Sequence, residues 1–498
     1  MLHGNKGAIS KMAGTRLAIL ASVLVPILLI APYAYKLLLV PRSPLPFEAI
    51  HVLDLAASTE HLRASLRATE TLAILQGKHH ASIEFAILPQ IKKIQVSSTD
   101  ISVQDGLNDD AEIDRALYKQ LQDLKLADQA VLVLLCRDNA DRDASTIKLG
   151  AYRHAWTFAC RVSTEQQQIL LNTLFPPFDA SDIKPALKYR WSFSILNEVP
   201  QNASLAEAWS NVLDSAMSWV EPFAHTLSTT LADVTLESQF VHYAKLAKTY
   251  RQDAQGNQYV TPDDLQQFKS ANDFSTSSVL EDREQIFHFM GAIPRSPSLH
   301  IRYKGAAAYS FLIPSYGGVT IVPTPQDVPR MMQVFVHHCR LLLGLSLPSS
   351  NPVAIIPSKQ NGLASWEVDI LMRRWLVRHW HATLQTLQSI ATLVENMPQM
   401  IVLERIQSQV TKALKLVQSI DLNEMESPAS RQTHLAILRQ ARLAVEDAYY
   451  DPTMVSQLYF PEDQIYAVYL PLLLPLLLPL GGGLVREIKR YRRKKKVD

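Results

Sequence analysis

The stretch IYAVYLPLLLPLLLPLGGGLV, Ile465 to Val485, determines how the rest of the chain is arranged. Its 21 residues carry no charged side chain. A helix rises about 1.5 Å per residue, so this segment is long enough to cross a hydrocarbon layer of about 30 Å. Pro471, Pro475 and Pro479 each remove a backbone donor, and neighbouring spans are expected to satisfy the freed carbonyls. The alternative, a buried core helix, is disfavoured by the length, the leucine content and the basic residues that follow.

The flanking charges orient this predicted transmembrane helix, residues 465–485. Residues 486–498 contain eight Lys or Arg side chains, whereas Glu462 and Asp463 precede the span. Basic flanks tend to stay on the cytosolic side of a membrane. The sequence therefore predicts that residues 486–498 form a cytosolic tail.

A second apolar segment lies near the N-terminus. Residues 1–16 contain basic but no acidic side chains, and residues 17–35 are uncharged. The span extends to residue 40 if Lys36 snorkels to the interface. We predict an uncleaved signal anchor over residues 17–40, with a cleaved signal peptide as the alternative. Both termini are then cytosolic and residues 41–464 are luminal, where the sequon at Asn202 is a candidate glycosylation site.

The composition excludes two classes of protein. The chain has 49 basic and 47 acidic residues and a net charge of +2, so no overall basic field points to nucleic acid. Three cysteines are too few for a disulfide scaffold. A hydrophobic content of 47% indicates a substantial core instead.

Residues 41–325 alternate between strand-like and helix-like patterns, which predicts a luminal α/β region with a mixed sheet. The first strand is expected at Phe47 to Leu55, and a buried strand at Ala130 to Cys136. The remaining predicted elements are helices at 58–75, 111–126 and 203–220, and strands within 81–96, 227–243 and, as a pair, 298–322. Residues 252–278 are predicted to be mainly loop.

Residues 326–464 are predicted to be luminal and mainly helical. Apolar side chains recur at spacings of three and four, as in helices buried on one side. The predicted helices are 328–345, 366–394, 398–420 and 429–450. The last three are expected to form an antiparallel bundle or hairpin array that leads into the second span.

Candidate catalytic groups are isolated in the sequence. His337, His338 and Cys339 invite a Cys–His dyad, but adjacent helical residues do not face each other. Cys339 is therefore interpreted as a buried small residue. Asp54, at the end of the predicted first strand, is more consistent with a turn or cap residue than with a catalytic acid.

Two histidine pairs are candidate metal ligands. His379 and His381 are two residues apart, a spacing that does not converge on a metal from one helix. His79 and His80 have no Cys or carboxylate partner at a metal-binding spacing, which favours a solvated loop. No cofactor-binding motif is present, so no metal or cofactor is expected.

An aromatic and basic cluster stands at the start of the predicted helix 366–394. One interpretation places one helix face in the core and the other in solvent. The alternative is contact with a partner subunit, because Trp and Arg are frequent interface anchors. The cluster consists of Trp366, Trp375, Trp380, Arg373, Arg374 and Arg378.

Several separated stretches carry short motifs. Arg42-Ser43-Pro44-Leu45-Pro46 has the pattern R-x-x-L-P, and Leu236 to Gln239 is followed by His242-Tyr243. Phe311 to Pro314 is followed by Tyr316-Gly317-Gly318, and residues 448–475 read AYYDPTMVSQLYFPEDQIYAVYLPLLLP.

Together these stretches resemble the PIG-S family, whose members are subunits of the endoplasmic reticulum GPI transamidase. They are similar to the family's R-x-x-L-P stalk, its Ser-Gln segment and its FLIP-x-WGG motif, with Tyr316 in place of Trp. Residues 448–475 give the most specific likeness, at Phe460, Pro461, Tyr469 and Pro471.

The resemblance implies a non-catalytic subunit that supports complex assembly and handling of the proprotein substrate. It implies partnership with the other subunits, including the catalytic cysteine-protease-like one, and with membrane lipid. Lys495 and Lys496 resemble a dilysine retrieval signal of the endoplasmic reticulum, although any polybasic tail could place lysines there. The alternative function is an independent membrane-anchored luminal hydrolase.

Overall fold

The computed structural model describes most of the central chain. The described ranges are 42–76, 94–98, 109–135, 146–159, 162–178, 186–198, 203–244, 246–247, 249–264, 284–322, 327–345, 353–356, 362–397 and 400–454, with isolated positions among 25–29 and 467–493. The helices are α1 Phe47–His51, α2 Leu55–Ala68, α3 Asp110–Asp123, α4 Thr164–Leu174, α5 Ala203–Thr230, α6 Val328–Leu342, α7 Ser365–Asn396, α8 Glu404–Gln418 and α9 Pro428–Tyr449, followed by the 3-10 helix Pro452–Met454.

The described strands form three sheets, all in the part of the chain between residues 53 and 385. They are β1 Leu72–Gln76, β2 Ile94–Ser98, β3 Ala130–Leu134, β4 Ile147–Leu149, β5 His154–Thr157, β6 Lys188–Asn197, β7 Asp233–His242, β8 Arg251–Gln252, β9 Gln258–Val260, β10 Glu284–Ile293, β11 His300–Tyr303, β12 Ala306–Ala308, β13 Ser310–Ile313, β14 Gly317–Ile321 and β15 Val353–Ile355. Their orders are β15-β4-β5-β3-β1-β2, β13-β14-β10-β6-β7 and β12-β11-β9-β8.

The first sheet is parallel except where β4 pairs with β5. Strand β3, Ala-Val-Leu-Val-Leu, is buried along nearly its whole length, as expected for a strand covered on both faces. Helix α3 packs Ile113, Leu117 and Leu121 against this sheet at a spacing of four. Strand β15 joins the sheet beside β4, although it lies in the section that the sequence marks as mainly helical.

The second sheet is built on ten-residue strands. Strand β6 pairs in parallel with both β7 and β10, and helix α5 connects β6 to β7 in a βαβ unit. Phe193 of β6 lies 5.3 Å from Phe289 of β10 and 6.0 Å from Phe335 of α6, measured between ring centroids. These rings form the centre of the packing between the sheet and its helices.

The chain divides into two compact units. The larger comprises Leu53–Gln385 and Lys415–Leu443, with all three sheets. The smaller comprises Met1–Val52, Thr386–Leu414 and Ala444–Asp498. Within the smaller unit, the backbone N–H of Ser43 donates to the Val402 carbonyl at 2.9 Å, and His51 lies 2.9 Å from Glu395.

The α/β character and the later helices are confirmed. The strand predicted at Phe47 to Leu55 is wrong, because this stretch forms α1 and the start of α2. Ile50 is buried on one side of α1, and the Asp54 carboxylate accepts from the Ala57 N–H at 3.0 Å to cap α2. The helix predicted over 58–75 ends at Ala68, and the pair of strands predicted within 298–322 is four short strands.

The two predicted transmembrane segments lie outside the described residues apart from isolated positions. Among the residues that the structure does describe, no helix combines the length and the apolar composition needed to cross a membrane.

Candidate functional site

The FLIP-x-YGG stretch forms a hairpin at the edge of the second sheet. Strands β13 and β14 pair antiparallel, with Leu312 opposite Gly318 and Ile313 opposite Gly317. Ser315 occupies the turn with a φ of 60°, a left-handed conformation that few side chains adopt readily. The N–H of Tyr316 donates to the Ile313 carbonyl at 3.2 Å and closes the turn. Pro314 therefore lies within the tight connection, and Phe311 lies on the strand that precedes it.

The two glycines are required by close packing. A side chain at Gly317 would overlap the backbone of His288 on β10, and one at Gly318 would overlap the imidazole of His338 on α6. Burial lowers the pKa of His338 to about 4, so this ring is neutral at pH 7. The glycines allow β14 to approach both neighbours closely.

Tyr316 and Phe311 anchor the hairpin to a hydrophobic cluster. The ring of Tyr316 stacks on His288 at 4.7 Å, and its carbonyl accepts from the His288 N–H at 2.9 Å. Phe311 packs against the buried cluster that contains Ile301 and Val319. The motif thus has a clear structural role, and these contacts involve no arrangement of groups suited to catalysis.

Two other motif stretches lie in the smaller unit. The Arg42 guanidinium donates to the Val394 carbonyl, and Leu45 is buried. Asp451 caps the 3-10 helix through the Thr453 N–H at 3.0 Å and forms a two-point ion pair with Arg405 at 2.6 and 2.8 Å. This pairing holds the pKa of Asp451 down to about 2. Both stretches fix the path of the backbone next to a predicted span.

The candidate nucleophile Cys339 is buried in α6. Burial raises the pKa of its thiol well above the usual value, so the thiol stays protonated and unreactive. His338 is buried beside it in sequence, whereas His337 is exposed. The interpretation of Cys339 as a buried small residue is therefore supported by the structure.

The other candidate residues are His379, His381 and Asp54, and their positions in the fold are consistent with structural roles. His379 is fully buried and lies 2.8 Å from Arg442, while His381 is exposed, so the two rings do not converge. Burial lowers the pKa of His379 well below its usual value. Asp54 is a helix cap, as the sequence favoured. In the described part of the chain, no cluster of three or more metal-ligating side chains occurs.

The aromatic and basic cluster of α7 is mostly buried on both of its faces. The indole N–H of Trp366 donates to the Gly150 carbonyl at 3.0 Å, and Trp375 stacks on Tyr189 at 5.8 Å. Arg373 and Arg374 are also buried, which corrects the interpretation that one face of the cluster lies in solvent. These tryptophans are internal anchors of the larger unit.

A buried contact between a histidine and a carboxylate was not anticipated from the sequence. His154 on β5 lies 3.0 Å from Asp114 on α3, and the Asp114 carboxylate also accepts from the Ala151 N–H at 2.9 Å. The sequence offers one sign of this contact, because Asp114 interrupts the apolar face of α3. A partner forty residues away could not be inferred from that position.

Several predicted site residues lie outside the described part of the chain. They are Asn202, Lys495, Lys496, Phe460, Pro461, Tyr469, His79 and His80. Pro471 is one of the isolated described positions. The proposed roles of these residues stay predictions.

Comparison with known proteins agrees with the motif stretches. The family model of PIG-S, described as phosphatidylinositol-glycan biosynthesis class S protein, matches residues 21–494. The chain belongs to the PIG-S family. This PIG-S family chain is 27% identical over 350 residues to the mouse (Mus musculus) "GPI-anchor transamidase component PIGS", and 27% identical over 342 residues to the human (Homo sapiens) protein of the same name.

The mammalian matches cover only part of each protein. Each spans 64% of this chain and 60% of the relative. The "GPI transamidase component PIG-S homolog" of Schizosaccharomyces pombe is 23% identical over an alignment of 530 positions, which covers 96% of this PIG-S family chain and 85% of the yeast protein. The family likeness therefore extends through both units.

Proposed function

We propose that this chain is a non-catalytic subunit of the GPI transamidase complex of the endoplasmic reticulum. It supports assembly of the complex and handling of the proprotein while a GPI anchor is attached to the protein's C-terminus. The observation that carries this proposal is the PIG-S family match across residues 21–494. Relatives that carry the component name in mammals and yeast support the same assignment.

A supporting rather than catalytic role agrees with the chemistry of the described residues. The Cys339 thiol is buried and its pKa is raised, which removes the cysteine best placed beside a histidine. In the buried Asp114–His154 contact, the Asp114 carboxylate also accepts from the Ala151 backbone N–H. The resemblance to the PIG-S family implies that the peptide bond chemistry belongs to a partner, the cysteine-protease-like subunit.

The proposed topology places the chain in the endoplasmic reticulum membrane with two spans, residues 17–40 and 465–485. Residues 1–16 and 486–498 are cytosolic, while 41–325 and 326–464 are luminal. The basic residues next to each apolar segment support this orientation. Lys495 and Lys496 then provide a retrieval signal, Asn202 carries a glycan, and membrane lipid surrounds both spans.

Affinity purification from cells in mild detergent tests the proposal. A tagged full-length chain should recover the other transamidase subunits, identified by mass spectrometry, and its depletion should reduce the surface level of a GPI-anchored reporter. Recovery of a lone monomer with hydrolase activity of its own would support the alternative of an independent luminal hydrolase and would overturn the proposal.

A further inference from the structure

A small cleft in the larger unit is lined by three arginines. It lies beside the N-terminal ends of β1 and β3 and has a volume of about 60 Å³. Its lining includes Arg153, Arg373, Arg431, Asp369, Thr69 and Phe175. A space of this size admits a few water molecules or one compact oxyanion.

Two of the arginines have partners within the protein. Arg153 forms a two-point contact with Asp369 at 2.6 and 3.2 Å. Arg431 donates to the carbonyls of Met425 and Glu426, both at 2.9 Å. The Asp369 carboxylate also lies 3.9 Å from Arg431, so it is shared between these two guanidinium groups.

Arg373 is different, because two of its three guanidinium nitrogens have no hydrogen-bond partner among the described residues. It is 8% exposed, and its Nε and Nη1 atoms are buried without a hydrogen-bond partner. The nearest carboxylate, Glu70, lies 3.7 Å away, and the ring of Phe175 holds the cation at 4.7 Å. A buried guanidinium with unmet donors is costly unless a further group completes it.

We propose that this cleft binds a phosphate-type oxyanion, with Arg373 donating to it through two N–H groups. Guanidinium and phosphate match in a planar, two-point geometry. Arg153 and Arg431 line the same cleft together with the carboxylates of Asp128, Asp369 and Glu426, and Arg153 also lies 3.5 Å from Asp128. The positive charge offered to the anion is therefore that of Arg373, whose guanidinium lies over the ring of Phe175. Burial lowers the pKa of Arg373. Burial and the neighbouring charge of Arg373 lower the pKa of Arg431 to about 10. A bound anion would favour the charged form of both side chains.

The test uses the purified full-length chain in detergent micelles, with inorganic phosphate as the probe. Binding is measured by isothermal titration calorimetry and by the melting temperature, at constant ionic strength set with chloride. We expect saturable binding and a rise in melting temperature for the unmodified chain. Arg373→Gln should weaken binding at least tenfold, and Arg373→Lys should weaken it less, since lysine keeps the charge but loses the fork.

Arg190→Gln is the matched control. Arg190 pairs with Glu284 on the second sheet and does not line the cleft, so its loss should leave phosphate binding unchanged. An equal rise in melting temperature for all variants would mean a general salt effect and would overturn the site, as would the absence of saturable heat. If Arg373→Gln does not fold, the phosphate affinity of Arg373→Lys is compared with that of the unmodified chain.

A second ligand distinguishes the source of the phosphate. Tighter binding of a soluble short-chain phosphatidic acid than of inorganic phosphate would assign the site to a lipid headgroup. Equal binding would assign it to free phosphate. Phosphate binding follows from the geometry of the cleft and does not require that the chain be a transamidase subunit.

Discussion

Gly318 on β14 lies directly against the imidazole of His338 on α6, with no room for a side chain between them. This contact joins a motif glycine to a buried neutral ring. It explains physically why a glycine is needed in a strand, where glycine is otherwise unfavourable.

Gly318→Ala should destabilise the chain by about 1–3 kcal/mol, because the added methyl group overpacks the space beside His338. Thermal or chemical unfolding of the purified chain measures this. In a double-mutant cycle, His338→Ala should relieve part of the penalty, so the double variant should be more stable than the sum of the single changes predicts. Strict additivity would contradict the contact.

Loss of the contact between Asp114 and His154 is expected to lower the free energy of unfolding. Asp114→Ala leaves buried His154 and the Ala151 N–H without their partner, which should cost about 1–3 kcal/mol. Asp114→Asn keeps an acceptor for the N–H and should cost less. Asp123→Ala, on the exposed end of the same helix, is the control and should change the unfolding free energy little. Equal losses for all three variants would exclude the pair as the cause.

The Arg405–Asp451 ion pair predicts a pH dependence in the smaller unit. The folded-state pKa of Asp451 is about 2, below its usual 3.8, so the pair stabilises the fold above about pH 4. This stabilisation is lost as the pH falls from about 4 towards 2. Because the Arg405 side chain is 60% exposed, solvent screening keeps the effect small.

Melting temperatures of Asp451→Asn and Arg405→Gln test this pair. Both variants should melt slightly below the unmodified chain at pH 7, and the double variant should lose little more than either one. The difference for Asp451→Asn should shrink below pH 4. A constant difference across this range would show that Asp451 acts only through its cap on the 3-10 helix.

Cys339→Ala tests the non-catalytic role. The substitution should leave GPI attachment intact and reduce stability by about 1 kcal/mol, since it removes a buried sulfur. Surface display of a GPI-anchored reporter in complemented cells measures attachment. His337→Ala, an exposed neighbour, is the control. Loss of attachment in the Cys339 variant, with normal recovery of the complex, would point to a catalytic cysteine.

The local pattern of apolar residues is sufficient to predict those elements whose burial follows from their own sequence. Strand β3 is a continuous apolar run, and α3 has apolar residues at a regular spacing of four, so both were predictable. The strand predicted at Phe47 to Leu55 is wrong because the few apolar residues of this stretch fit a strand or a helix equally well, and the Asp54 cap accounts only for the start of α2. The spacing of a few apolar residues alone cannot distinguish a strand from a helix in so short a stretch.

The sites were less predictable because they depend on residues far apart in the chain. Asp369 meets Arg153 across more than two hundred positions, and Asp114 meets His154 across forty. The sequence indicated that arginines cluster on α7, yet it could not show that two guanidinium nitrogens of Arg373 are buried without a hydrogen-bond partner. That property arises from the packing of β1, β3 and α4 around the helix.

Asn202 offers a direct test of the proposed topology. If residues 41–464 are luminal, the sequon Asn202-Ala203-Ser204 meets the glycosylation machinery during synthesis in microsomes. The full-length chain should then migrate more slowly than its endoglycosidase-treated form, and Asn202→Gln should abolish the difference. Residues 41–464 should also resist added protease until the membrane is opened with detergent. An unmodified Asn202 together with protease cleavage of the central region in sealed microsomes would invert the topology, because added protease reaches only the cytosolic face.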